Sequence, residues 1–497
     1  MAAKIDKLVV THRAALRAKH GERGLQAIEA QLGRLIQADR RRGLTTRLVY
    51  LDVAASLQGV CAPVKRASDK RGTKQAIDAL YTAYAPDYLM LLGAPDVVPH
   101  QQLENLLAGK EEDRLIPSDL PYACDAPYST TISDFLGPTR VVGRLPDLQG
   151  TRDTAYLLRL LDVATRFTSR PRQDYARYFA LSTATWQVST RKSIRRLFGS
   201  ADRTQLSPGA DETWTRAELS GRVHFINCHG AKRTPEFFGE DEDDQPVALR
   251  SRDLPGNVPA ATIVAAECCY GAQLYKPRNA GQRGICCVYL AQGAVGFFGS
   301  TCIAWGEASR NNFADYMCIA FVKALQAGAS LGSAALQARQ YYVGLDGYME
   351  MVDLKTLAQF VLLGDPSIQP MRARAAASTE APRRRQRRVR FANKGKLIAK
   401  TTARADRPRR RQGSAALREC LAGLKTHALK VESFPLQRPD EPVRAKHGRR
   451  LLSRGTVFHV VAVRKRPGSR FTGPAELLVV REVGGKVDRV VHAKRRG

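Results

Sequence analysis

Residues 223–233, VHFINCHGAKR, open with an apolar run and then turn abruptly to Asn227, Cys228, His229 and Gly230 before the chain becomes basic. Residues 261–273, ATIVAAECCYGAQ, repeat the pattern, an apolar run ending in Glu267, Cys268, Cys269, Tyr270 and Gly271. Short continuous apolar runs of this kind read as strands buried on both faces, as in a parallel sheet covered by helices. If the two strands are neighbours, His229 and Cys269 leave the sheet at one edge. Ligands and catalytic groups gather at the carboxyl ends of strands in open α/β sheets.

The same kind of run recurs along the chain. TTRLVYLDV (45–53), YLMLLG (88–93), RVVGRL (140–145), ARYFALSTA (176–184), AVGFFGST (294–301) and FVLLG (360–364) complete a set of eight expected strands. Helical segments lie between them, among them RGTKQAIDALYTAYA, NNFADYMCIAFVKALQAG and LGSAALQARQYYVG. In the second, Phe313, Met317, Ile319, Ala320, Val322 and Leu325 recur at helical spacing. The fold class expected is α/β, a doubly wound, mostly parallel sheet with helices on both faces. TSRPRQD (168–174) marks a seam between two halves.

Length and charge set the outer limits. A chain of 497 residues, 44% hydrophobic, has room for two to four domains and a sizeable core. No apolar run approaches the roughly 18 residues of a membrane helix, and the start carries no secretory pattern, so a cytoplasmic location is expected. Ten cysteines in such a chain are then expected as thiols rather than as a disulfide framework. No Cys-x-x-Cys pair or spaced His pair suggests a metal, and no cofactor is expected. Residues 371–497 hold 35 Lys and Arg against 9 Asp and Glu, which accounts for +26 of the net charge of +32. That concentration points to a nucleic acid or other polyanion as partner, or else to a solvated extension.

The residue types at the two strand ends suit nucleophilic catalysis. An imidazole beside a thiol favours the thiolate and later protonates the leaving group. Gly230 permits close backbone approach, and the amides of Gly230 and Cys269 are candidates to hold an oxyanion. Cys268 is the alternative nucleophile.

The order His, then Cys, is similar to that of caspases, whose cysteine follows Gln-Ala and precedes x-Gly. Here the corresponding residues are Glu267-Cys268-Cys269-Tyr270-Gly271. Further segments resemble the gingipain-type cysteine peptidases of the caspase-like group, which also holds legumain and separase. They are APDYLMLLGAPDVVP (85–99), IPSDLPYACDA followed by RVVGRLPD, AQGAVGFFGSTCIAWG, LGSAALQARQYY and FVLLGDPSIQP. The resemblance covers most of residues 1–370. It implies a caspase-like fold, with an N-terminal α/β subdomain (1–170) and a catalytic subdomain carrying the dyad (171–370). An Arg-, Pro- and Ala-rich linker (371–414) and a small basic β-containing domain (415–497), hairpinned at Gly484-Gly485, lie outside it.

The activity implied is cysteine endopeptidase, acting on protein or peptide substrates with His229 and Cys269 as a dyad. The resemblance places Glu267, Asn227 and Cys228 along the primary specificity pocket. A carboxylate there would favour cleavage after Arg or Lys; the other reading pairs Glu267 with a local arginine. Trp305 is either a pocket wall or core. No third catalytic carboxylate is evident. The alternative function is a silent or ligand-gated caspase-like protein recruited to nucleic acid by its tail. The Arg-rich linker is equally a candidate for self-cleavage.

Overall fold

A computed structural model describes residues 4–207, 213–240, 244–345, 349–372, 414–424, 430–435, 457–464 and 476–495. The linker expected at 371–414 therefore falls almost wholly outside the described residues.

Ten strands make one sheet. They are β1 (Lys7–Thr11), β2 (Thr46–Tyr50), β3 (Tyr88–Leu92), β6 (Val142–Leu145), β7 (Tyr178–Thr183), β8 (Thr204–Ser207), β9 (Val223–Asn227), β13 (Ile263–Ala266), β14 (Gly296–Ser300) and β16 (Phe360–Leu363). Their order is β2-β1-β3-β6-β16-β14-β13-β9-β7-β8. Within each half the pairs are parallel, while β16 runs antiparallel to β14. All eight expected strands belong to this sheet. Every residue of β1, β6, β7, β9, β13, β14 and β16 is buried. Successive side chains on a strand face opposite ways, so full burial means that both faces are covered. Helices supply the cover, including Arg13–Arg41 against Thr154–Arg166 and Ala314–Gln326 against Leu331–Leu345. The structure thus carries the α/β class expected.

Two strands escaped the reading of apolar runs. β1 starts at Lys7, whose ammonium is fully buried between Asp39 (2.9 Å) and Asp365 (2.5 Å). A buried charge survives there because it is paired on two sides. β8 is a four-residue edge strand of TQLS with two exposed members, which offers no apolar signal. The seam near 168–174 is tied to the end of the body, where the Arg170 amide donates to Pro370 O and the Arg372 amide to Arg170 O.

Smaller sheets decorate the edge where the candidate residues lie. β4 (Gln101–Glu104) and β5 (Leu115–Ser118) form a hairpin, and β10 (His229–Gly230), β11 (Glu236–Phe238) and β12 (Val247–Arg250) form a three-stranded sheet. The basic C-terminal region builds a fourth sheet. β17 (Lys430–Pro435), β18 (Val457–Arg464), β19 (Glu476–Val483) and β20 (Lys486–Arg495) form an antiparallel sheet whose β20 adds onto β15 (Trp305–Gly306) of the body. Gly484 and Gly485, at φ +58° and +79°, turn β19 into β20 as a tight hairpin requires. Leu478 and Val480 pack on the helix Ala415–Gly423 through Leu417 and Leu421. The opposite face, with Phe458, Val460, Leu477, Val479, Val491 and Ala493, joins the core of the body.

Candidate active site

β9 and β13 are parallel neighbours, with Ile226 beside Ala266. The Glu267 amide extends the ladder by donating to Ile226 O at 2.8 Å. The chain therefore leaves both strands side by side. Beyond them, Gly230 lies against the backbone of Cys269. A Cβ built on Gly230 would sit 1.9 Å from Cys269 O and 3.3 Å from its amide nitrogen. Only glycine permits that approach.

The two cysteines have different surroundings. Cys268 faces inward, where its Sγ accepts from the Cys228 amide at 3.4 Å and lies 3.8 Å from Ile226 O. Cys269 faces the loop after β14. Its Sγ accepts from the Ala304 amide at 3.1 Å and lies 3.4 Å from Ala304 O. The backbone turns at Tyr270 in the left-handed region (φ +54°), where its amide donates to Cys302 O at 3.0 Å. Cys269 is 0% exposed. Burial pushes its thiol up to about 12, with the nearby charge of Arg495 acting in the other direction. Burial thus favours the neutral thiol over the thiolate.

His229 is placed by β10, which pairs antiparallel with β11. Beyond β11 the chain brings Glu240 back, and Glu240 Oε1 stands 2.7 Å from His229 Nε2. The other carboxylate oxygen accepts from the Thr185 amide at 2.8 Å, which fixes the carboxylate. A carboxylate on one ring nitrogen sets the tautomer and the orientation of the ring. Trp186 packs edge-on to the imidazole, with ring centroids 6.4 Å apart. Glu240 was not identified from sequence. It is the first member of an acidic run, EDEDD, whose composition suggests a solvated loop or a patch that docks a basic substrate or the protein's own tail.

The remaining expected site residues divide. Asn227 is buried with its amide on Thr190 Oγ1 (2.9 Å), and Cys228 is buried against Cys268. Glu267 is fully buried at the end of β13. Trp305 is buried, with Nε1 donating to Glu111 Oε2 at 2.8 Å, and its backbone forms β15 beside Cys269.

Glu111 opens a second acidic group that sequence reading missed, Glu111-Glu112-Asp113, on the β4–β5 loop. Glu111 also pairs with buried Lys355. Asp113 Oδ2 accepts from Tyr270 OH (2.9 Å) and the Ile303 amide (3.0 Å). Between them, Glu112 Oε1 accepts from Arg495 Nη2 at 2.6 Å.

Among the described residues no group of three or more His, Cys, Asp or Glu side chains has the arrangement of a metal site. No described helix is long and apolar enough to cross a membrane.

Comparison with known proteins follows the same segment. Residues 247–371 match the model of peptidase family C25, a span that includes Cys269 and begins after His229 and Glu240. No curated protein matches the chain. A solved structure described as a protease is similar to it at 13% identity, with a TM-score of 0.49, over 98% of this chain and 96% of that one. Two crystal structures of the Saccharomyces cerevisiae separase–securin complex are similar over 47% of this chain and 14% of theirs, at 13% identity with TM-scores of 0.30 and 0.27. Over residues 247–371 the chain is thus similar to peptidase family C25, and the likeness does not extend to the strand end that carries His229.

Proposed function

We propose that the protein is a cysteine endopeptidase in which Cys269 attacks the scissile carbonyl, His229 moves the proton and Glu240 orients His229. The observation that carries this reading is the contact of Gly230 with the Cys269 backbone, which brings the two strand ends together. His229 takes the Cys269 proton as the sulfur–carbon bond forms, and returns it to the amine as the peptide bond breaks. Water then hydrolyses the thioester and regenerates the thiol. The amides of Gly230 and Cys269 are the proposed oxyanion donors. Proposed contacts with substrate come from Asn227, Cys228, Glu267 and Trp305, and cleavage after Arg or Lys is the proposed preference. Glu112 supports that preference, since it already holds a guanidinium beside Cys269.

The test is a fluorogenic peptide panel varying the residue before the scissile bond, with Cys269→Ala and Cys268→Ala beside wild type. Cleavage of Arg or Lys peptides is expected to survive in Cys268→Ala and to fall by about 10⁴-fold or more in Cys269→Ala. Loss in Cys268→Ala alone would reassign the nucleophile, and a preference for uncharged residues would remove the basic specificity.

Recruitment to nucleic acid through the basic C-terminal region remains a proposal resting on its charge. Retention on a polyanion that weakens steeply with salt is the outcome it requires.

A further inference from the structure

β15 is the strand edge nearest the thiol. It begins at Trp305, one residue after Ala304, whose amide and carbonyl both contact Cys269 Sγ. An exposed edge in that place is a template on which an extended peptide adds as a further strand. The edge is filled. β20 pairs with it antiparallel, with Trp305 opposite Arg495 and Gly306 opposite Lys494. The side chain at the end of the added strand is an arginine, 4% exposed, with Nη2 on Glu112 Oε1 at 2.6 Å.

The neighbours of Glu112 explain why this carboxylate is the one available to a guest. Glu111 is committed to Lys355 and Trp305, and Asp113 to Tyr270 and Ile303. Both therefore build the frame around Cys269. Glu112 has a side chain that is 29% exposed, its Oε1 accepts from Tyr270 OH at a long 3.4 Å, and Arg495 arrives from a region that joins the body 383 positions away. The guanidinium is close enough for its charge to bear on the Cys269 thiol.

We infer that the C-terminal sheet is a tethered pseudosubstrate: β20 occupies the track along Trp305–Gly306, Arg495 fills a guanidinium subsite at Glu112, and the pair keeps Cys269 covered until the sheet is displaced. The inference rests on the peptidase reading for the meaning of the track, but the occlusion of Cys269 is separately measurable. The apolar face of β18–β20 packs against the body, so displacement is a conformational step whose equilibrium the Arg495–Glu112 contact biases.

The experiment measures two rates on the full chain. One is alkylation of Cys269 by iodoacetamide, followed by peptide mapping with half-buried Cys61 as the internal reference. The other is cleavage of an Arg peptide. Arg495→Ala is expected to raise both, the alkylation by at least about tenfold. Glu112→Gln is expected to split them, raising alkylation while lowering cleavage after Arg, because the guest and a true substrate would share that carboxylate. If Arg495→Ala disturbs folding, Glu112→Gln decides, since it leaves the C-terminal sheet unaltered. Alkylation at the wild-type rate in both variants would overturn the inference. So would an intact mass of wild-type protein showing cleavage after Arg495, which would make β20 a substrate. Faster alkylation with no cleavage by any variant would retain the occlusion and sink the peptidase reading instead.

Discussion

Two arginine–carboxylate pairs, their carboxylates seven positions apart on either side of β5, do different work. Asp119 holds Arg144 bidentately, with Nε on Oδ2 at 2.9 Å and Nη2 on Oδ1 at 2.6 Å. Arg144 Nη1 adds bonds to Gly93 O (2.9 Å) and Val98 O (2.6 Å), and His100 Nδ1 closes on Asp119 at 2.8 Å. Arg144 is 0% exposed, and this network ties β6 to the chain leaving β3. Glu112 Oε1 accepts from Arg495 Nη2 at the half-open mouth of the site. Fork-on-fork geometry inside a closed network makes a brace. A contact carried by an added strand to a carboxylate that is partly open to water can be exchanged. The same chemical pair thus serves rigidity in one place and, as proposed, occupancy in the other.

The sharpest way to break the comparison is to remove each arginine. Arg144→Met leaves Asp119 buried without its guanidinium, and the expected cost is about 3–5 kcal/mol of unfolding free energy. Urea denaturation checks it, and a cost below about 1 kcal/mol, typical of surface pairs, would show that the network is no brace. Arg495→Ala should cost far less, because Glu112 regains water when its partner leaves.

Why the segments of one pair stood out in the sequence and those of the other did not follows from chain distance and pattern. The segments APDVVP, SDLPY and VGR carried the family resemblance, and in the structure they meet: Tyr122 OH donates to Pro99 O (2.6 Å) while Asp119 and Arg144 pair. The eight strands were legible because strands covered on both faces are apolar throughout. β1 was not, because its first residue is a charge whose counter-ions are supplied by tertiary contact. His229 and Cys269 were visible because each directly follows a readable strand. Glu240 was hidden by an acidic run, and its place depends on the β10–β11 pairing. Glu112 and Arg495 belong to elements with no shared local pattern, and only the docking of β20 on β15 brings them together.

The next prediction tests the carboxylate at the reactive end. Glu240→Gln keeps the shape but removes the charge that steadies His229 as it gains the proton. A loss in kcat of about 10²-fold is expected with KM little changed, since the effect falls on proton transfer. Unfolding free energy should fall by no more than about 1–2 kcal/mol, because the Gln amide oxygen can still accept a hydrogen bond from the buried imidazole. Equal loss in KM, with kcat retained, would move Glu240 from positioning His229 to holding substrate.

The smallest effect expected is a pH dependence that belongs to the brace. Burial alone would raise the Asp119 carboxyl, but Arg144 and His100 outweigh it and hold the carboxyl well below its ordinary range. A carboxyl depressed in the folded state contributes stability above its unfolded value, near 4, and that contribution is lost as pH falls toward the folded value. Between about pH 5 and pH 3 the urea midpoint of wild-type protein should therefore decline. Asp119→Asn, though less stable at neutral pH, should show a shallower decline because the titrating group is gone. Parallel slopes in the two proteins would assign the acid sensitivity to other paired carboxylates, with Asp365 beside Lys7 the next to replace.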